Sequence, residues 1–123
     1  MKNNKKTEPK IVKKGWGSEI IFANNDMYCG KLLILKAGAK FSMHFHIKKD
    51  ETWYVNSGKI SVKHIDTNNA CIFDEVLTEG DVWRNSPGEP HQVYAYEDSV
   101  IFEVSTTHFD EDSYRLLPGD SQA

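Results

Sequence analysis

Two histidines stand at positions i and i+2, in His44-Phe45-His46, and a carboxylate, Glu51, follows five residues after the second. In a strand, successive side chains alternate, so both imidazoles leave one face while Met43, Phe45 and Ile47 leave the other. Lys48-Lys49-Asp50 reads as a turn that doubles the chain back, which makes Glu51 the opening residue of the next strand. A further histidine, His91, starts a later strand directly behind Ser86-Pro87-Gly88-Glu89-Pro90. Three imidazoles and one carboxylate drawn from adjacent strands form a borderline-hard donor set. It suits one divalent Mn, Fe, Ni, Co or Zn ion. With four protein ligands, an octahedral ion keeps about two positions for water or substrate.

Such a convergence requires a folded sheet structure, and the rest of the chain supplies one. Short β-rich runs at 18–23, 27–36, 40–47, 51–56, 59–66, 70–78, 81–84, 91–96 and 99–105 are separated by turn residues, the texture of an all-β sandwich or barrel. Asn56-Ser57-Gly58 predicts a tight hairpin. Only 109–116 offers a helical turn. About nine strands in this length suffice to close a barrel and cover its edges. The fold class expected is therefore all-β, in one domain over residues 10–123, preceded by a disordered basic tail at 1–9.

Charge is unevenly spread. The 123 residues carry a formal net charge of −3, yet residues 1–14 hold six lysines against one glutamate, leaving the other 109 residues at −8. An acidic body lacks the basic face that a nucleic-acid-binding domain needs. No stretch approaches the roughly 18 consecutive apolar residues of a membrane span, and the polar N-terminus does not read as a secretory signal. The expectation is a cytoplasmic protein with neither nucleic-acid nor membrane partners. Cys29 and Cys71 lie in separate strand-like runs and are expected to be small buried side chains, kept reduced.

From Gly38 to Gly58 the chain reads G-x5-H-x-H-x4-E-x6-G, and from Gly80 to Ala95 it follows G-x5-P-x-G-x2-H-x3-N with Gly80, Gly88 and His91 in register. These segments resemble the two conserved motifs of the cupin superfamily. Ser86 stands where the second motif has proline and Ala95 where it has asparagine, a position of the barrel and not of the metal site. The resemblance implies a double-stranded β-helix, jelly-roll-like barrel with the metal near one mouth, and a homodimer. A narrower likeness runs from about residue 14 to 117. Lys14-Gly-Trp-Gly-Ser-Glu19, Asp50-Glu51-Thr-Trp53-Tyr-Val55-x-x-Gly58, Glu103-Val-Ser-Thr and Asp110-Glu-Asp-Ser-Tyr-Arg115 are similar to the cupin domain of type II mannose-6-phosphate isomerases. In that group the domain often follows a nucleotidyltransferase, which these 123 residues do not include.

That likeness points to a small sugar or sugar phosphate as substrate and to aldose–ketose isomerisation as the reaction. The base would be Glu51 or a metal-bound hydroxide. Two alternatives use the same ligands: an Fe(II)-dependent dioxygenase of a small organic substrate, or a non-catalytic sugar-binding module. Trp53 shares the strand face of Glu51 by alternation, so it lines the barrel beside the metal, to stack on a sugar or to fill the core. Arg84, Arg115 and Lys31 are the candidate cations for a phosphate. His64 and His108 match no motif ligand and read as packed or solvated, and Trp16 and Trp83 as packing residues.

Overall fold

The computed structural model describes residues 5–123. Eleven strands follow one another: β1 (Lys10–Lys14), β2 (Gly17–Asn24), β3 (Cys29–Leu35), β4 (Met43–Phe45), β5 (Glu51–Ser57), β6 (Lys59–Asp66), β7 (Cys71–Thr78), β8 (Val82–Asn85), β9 (His91–Ala95), β10 (Ser99–Ser105) and β11 (Tyr114–Leu117). They build two antiparallel sheets, in the orders β1-β2-β3-β10-β5-β8 and β11-β4-β9-β6-β7. This is the expected all-β barrel.

Alternation along the strands decides what lies inside. On β5, Glu51, Trp53 and Val55 are buried while Tyr54 is exposed; on β10, Ser99, Ile101 and Glu103 are buried while Phe102 is exposed. Register then stacks these inward residues into rows across the sheet. Trp83, Trp53, Glu103 and Lys31 form one row, and Val55, Ile101 and Leu33 the next. The second sheet contributes a row of His44, His91 and His64, with Arg115 on the other side of His44. Leu35, Val55, Ile60, Val62, Val93, Ala95 and Ile101 close the far end as an aliphatic core.

Two turns bring the strands to these registers. Gly58, between β5 and β6, has φ of +94°, a left-handed conformation that disfavours a side chain, and a Cβ there would run into Ser99 Oγ. Gly88, at φ +83°, donates its N–H to the carbonyl of His46 at 2.6 Å, so the turn before His91 is tied to the strand end that carries His46.

Several expectations are corrected. The segment 109–116 is not a helical element: Phe109 accepts the N–H of Asp112 in a single turn, and Tyr114–Leu117 is strand β11, paired with β4. The reason is tertiary, because the edge of β4 offers backbone partners that a single helical turn cannot match. Lys10–Lys14 is strand β1, not a strandless lead-in: its lysines occupy the edge of a sheet, where charge discourages further pairing. The run 40–47 contracts to Met43–Phe45, with Lys40 in an isolated bridge to Tyr94. Cys29 is buried, but Cys71 is exposed on the outermost strand β7. Of the tail at 1–9, residues 1–4 lie outside the described residues, and 5–9 precede β1 without strand or helix.

Candidate metal centre

Strand β4 and the turn after it present His44 and His46, β5 opens with Glu51, and β9 opens with His91. One ring nitrogen from each histidine lies within 4.8 Å of the others. Glu51 Oε1 stands 2.9 Å from His91 Nε2 and 3.8 Å from His46 Nε2. His46, Glu51 and His91 are buried, and His44 is half-buried toward the cavity.

The opposite nitrogen of every ring is engaged. His44 Nδ1 donates to the carbonyl of Ser42 (2.9 Å), His46 Nδ1 to that of Asp112 (2.6 Å) and His91 Nδ1 to that of Glu89 (2.8 Å). A carbonyl only accepts, so each Nδ1 carries the proton and each Nε2 turns its lone pair inward. His91 Nε2 has no hydrogen bond although Glu51 Oε1 is 2.9 Å away. At that separation a proton or a metal ion must lie between the two acceptors. Ligands at right angles on a transition metal with bonds of about 2.1 Å are about 3.0 Å apart, so a metal ion fits this donor set.

Burial also favours the neutral rings that a metal requires. It lowers His44 well below the ordinary imidazole value, with His91 and His46 adding to the effect. Burial likewise pushes His46 down to about 4, the nearby Lys49 ammonium contributing. Burial and the neighbouring Glu103 raise Glu51, against the opposing pull of His91 and Lys49. For Glu103, burial would raise the carboxyl, but Lys49 and Lys31 outweigh it and hold the group well below the carboxylate range.

A second layer surrounds the four residues. Asn85, only 2% exposed, donates to Glu51 Oε1 at 3.3 Å and accepts from Trp83 Nε1 at 2.8 Å. Lys49 Nζ lies 3.5 Å from Glu51 Oε2 and 3.1 Å from Glu103 Oε2, and donates to His108 Nδ1 at 3.3 Å. The Asp112 carboxylate accepts the backbone N–H groups of Ile47, Lys48 and Lys49, while its own carbonyl orients His46. One residue of the C-terminal segment thus anchors the whole His46–Glu51 turn.

His44, His46 and Glu51 face a cavity of about 440 Å³, inside the ~300–1,000 Å³ range of small-molecule sites. Trp53 lines it but is 1% exposed, with its ring edge-on to His91 and Phe41 and its Nε1 donating to Glu103. Arg115 lies in register with His44 and lines the cavity, and no ion pair engages its guanidinium among the described residues. Lys31 also lines the cavity, but its ammonium is 3.0 Å from Glu19. Arg84 is elsewhere: it makes a bidentate pair with Asp50 on the outside, at 2.7 and 3.0 Å. His64 packs between Phe73 and Trp83, whereas His108 lines the cavity wall with Asp110 at 3.0 Å.

Lys49, Asn85, Glu103, His108 and Asp112 were not singled out by spacing. Of these, Glu103 alone carries a sequence signal, as a charged residue at an inward position of an otherwise apolar strand. Lys49 reads as turn material because Lys48 beside it is a surface residue, stacked over Phe109.

A protein-family model described as Cupin matches residues 6–117. No curated protein sequence matches the chain. Among solved structures, the capsular polysaccharide assembling protein CapF from Staphylococcus aureus superposes with a TM-score of 0.78 at 22% identity, over 91% of this chain and 35% of that one. Oxalate decarboxylase from Bacillus subtilis, a protein with Mn(II) centres, gives 0.75 at 23% identity over 88% and 30%. KdgF from Halomonas sp. gives 0.70 at 20% identity over 89% and 94%. The chain therefore spans about a third of CapF and of oxalate decarboxylase. At these identities the likeness is one of fold. Among the described residues no helix is long and apolar enough to cross a membrane.

Proposed function

The chain belongs to the cupin family, and on that premise we propose that it is a metal-dependent cupin acting on a small sugar or sugar phosphate, with aldose–ketose isomerisation as its reaction. His44, His46, Glu51 and His91 are the metal ligands. The observation that carries this reading is the cluster of His44, His46 and His91, one ring nitrogen of each within 4.8 Å of the others and each Nδ1 held by a backbone carbonyl, with Glu51 Oε1 beside His91 Nε2. The choice of sugar rests on the resemblance of residues 14–19 and 50–58 to type II mannose-6-phosphate isomerases.

A bound divalent ion would supply Lewis acidity toward a carbonyl and its adjacent hydroxyl. The rest is work for the chain itself. Phe41, Trp53 and Leu33 give the inner cavity an apolar wall beside the histidines. Glu51 is the candidate base, its carboxyl raised by burial above the ordinary carboxylate value, the direction that favours proton transfer. Arg115 is the phosphate-binding residue of choice, because it alone of the three candidate cations both lines the cavity and lacks an acidic partner.

The test is metal analysis of protein purified without chelator, followed by turnover and calorimetry over matched sugars and sugar phosphates. One transition metal per chain and interconversion of an aldose with its ketose are expected. Metal with sugar binding but no turnover would leave a binding module. Oxygen consumption with an iron-loaded protein and a small organic acid would replace the isomerase reading by the dioxygenase.

A further inference from the structure

Lys49 presents an unusual arrangement for a residue within a surface turn. Its side chain is 3% exposed, and its ammonium has three partners: it forms ion pairs with Glu51 Oε2 at 3.5 Å and Glu103 Oε2 at 3.1 Å and donates to His108 Nδ1 at 3.3 Å. Nothing about the turn itself demands this. Lys48, its neighbour, points to solvent, and the backbone of both is already held by Asp112. A buried ammonium is retained only where its partners satisfy it.

The two oxygens of Glu51 are thereby put to different uses. Oε1 faces His91 and His46 and accepts from Asn85, while Oε2 is turned to Lys49. Glu103 cannot turn away either, since Trp53 Nε1 holds its Oε1 at 3.0 Å. With Lys31 offset by Glu19, the carboxylates of Glu51 and Glu103 and the ammonium of Lys49 leave a single negative charge beside the imidazoles. A divalent ion meeting that charge keeps one positive charge in excess.

We propose that Lys49 is a positioning residue of the metal centre: it holds back the second oxygen of Glu51, so that Glu51 offers the metal one oxygen only, and it leaves the loaded centre with a net positive charge that favours an anionic ligand. The proposal rests on the metal reading above. It adds that the site is built for a negatively charged oxygen donor, a carboxylate, a phosphate or an ionised diol, over a neutral polyol.

The experiment uses the full chain loaded with Co(II), whose visible absorption responds to coordination number, with azide as the anionic probe. Wild type, Lys49→Arg, Lys49→Met and Lys49→Met/Glu103→Gln are compared, the double variant because it removes the carboxylate that Lys49→Met would leave unpaired. Wild type should bind about one Co(II) per chain and shift its spectrum with azide. In Lys49→Met or, where that variant does not fold, in the double variant, Co(II) should still bind. Its spectrum should change as the second oxygen of Glu51 is released; azide affinity should fall about tenfold or more in Lys49→Met and stay near wild type in the double variant, whose net charge is unchanged. Lys49→Arg should restore both. A wild-type spectrum in a folded variant without the lysine, or wild-type azide affinity in folded Lys49→Met, would overturn the proposal while sparing the metal site. A wild-type chain that binds no Co(II) would instead overturn the metal reading on which it rests.

Discussion

Four strands of the barrel run from a polar end to an apolar end of one interior. The inward residues of β5 change from Glu51 through Trp53 to Val55, those of β9 from His91 to Val93 and Ala95, those of β10 from Glu103 to Ile101, and those of β3 from Lys31 to Leu33 and Leu35. Both ends are similarly buried, with Glu51 at 2% and Val55 at 0%. What differs is how burial is tolerated. At the apolar end, removal of hydrocarbon from water stabilises the fold through close packing, and any side chains of matching volume would serve. At the polar end every charge needs a particular partner: Lys49 has Glu51, Glu103 and His108, and Lys31 has Glu19. The exception is the Glu51–His91 contact, left for a cation to complete. A barrel wall can therefore hold stability and chemistry on one strand, separated by only two or four residues.

The sharpest way to break this comparison is to remove ligands from the polar end. His44→Ala/His46→Ala should reduce metal from about one ion per chain to nearly none. Its affinity should fall by more than the ~10–100-fold typical of an outer-sphere partner. Unchanged metal content by elemental analysis would refute the site. The matching change at the apolar end, Ile101→Ala, should leave metal stoichiometry intact while lowering unfolding free energy by about 2–5 kcal/mol, as read by chemical denaturation. Loss of metal in that variant would show that the two ends are not separable.

Asp112 tests the polar end from outside it. Asp112→Ala should weaken metal binding about 10–100-fold, because the turn that aims His46 loses its anchor. Stability should fall as well, since three backbone N–H groups lose a charged acceptor. The acid response has a definite sign. Burial would raise the Asp112 carboxyl, but the three amides outweigh it and keep its value below the ordinary 3.8. Its contribution is thus fully present above about pH 4 and is lost as pH falls through the lower folded value. Wild type, stripped of metal, should accordingly lose more stability than Asp112→Ala on acidification below pH 4.

The smallest effect is expected at the cavity mouth. Arg115→Ala should raise the dissociation constant of a sugar phosphate about tenfold and leave that of the matching neutral sugar unchanged in calorimetry. Arg84→Ala, which breaks only the exterior pair with Asp50, should alter neither. Equal weakening by both substitutions would mean that charge at large, and not a cavity contact, governs the affinity.

Much of this architecture is legible in the sequence, because it depends on period two and on local turns. Strand alternation places His44 with His46, and Glu51 with Trp53 and Val55, whatever the rest of the chain does. The glycines of the two cupin-like motifs mark where the chain must reverse. Arg84 shows the boundary of that method: its residue type suits a phosphate, but the opposite strand face sends it to Asp50. The segment 109–116 shows it again, since local pattern allowed a helical turn where pairing with β4 made β11. What only the tertiary structure decided is the layer behind the ligands. Lys49 meets His108 across 59 positions, Asn85 meets Glu51 across 34, and Asp112 meets Ile47 across 65. Such contacts leave no periodic trace, because strand order and register, not spacing along the chain, bring their partners within hydrogen-bonding distance.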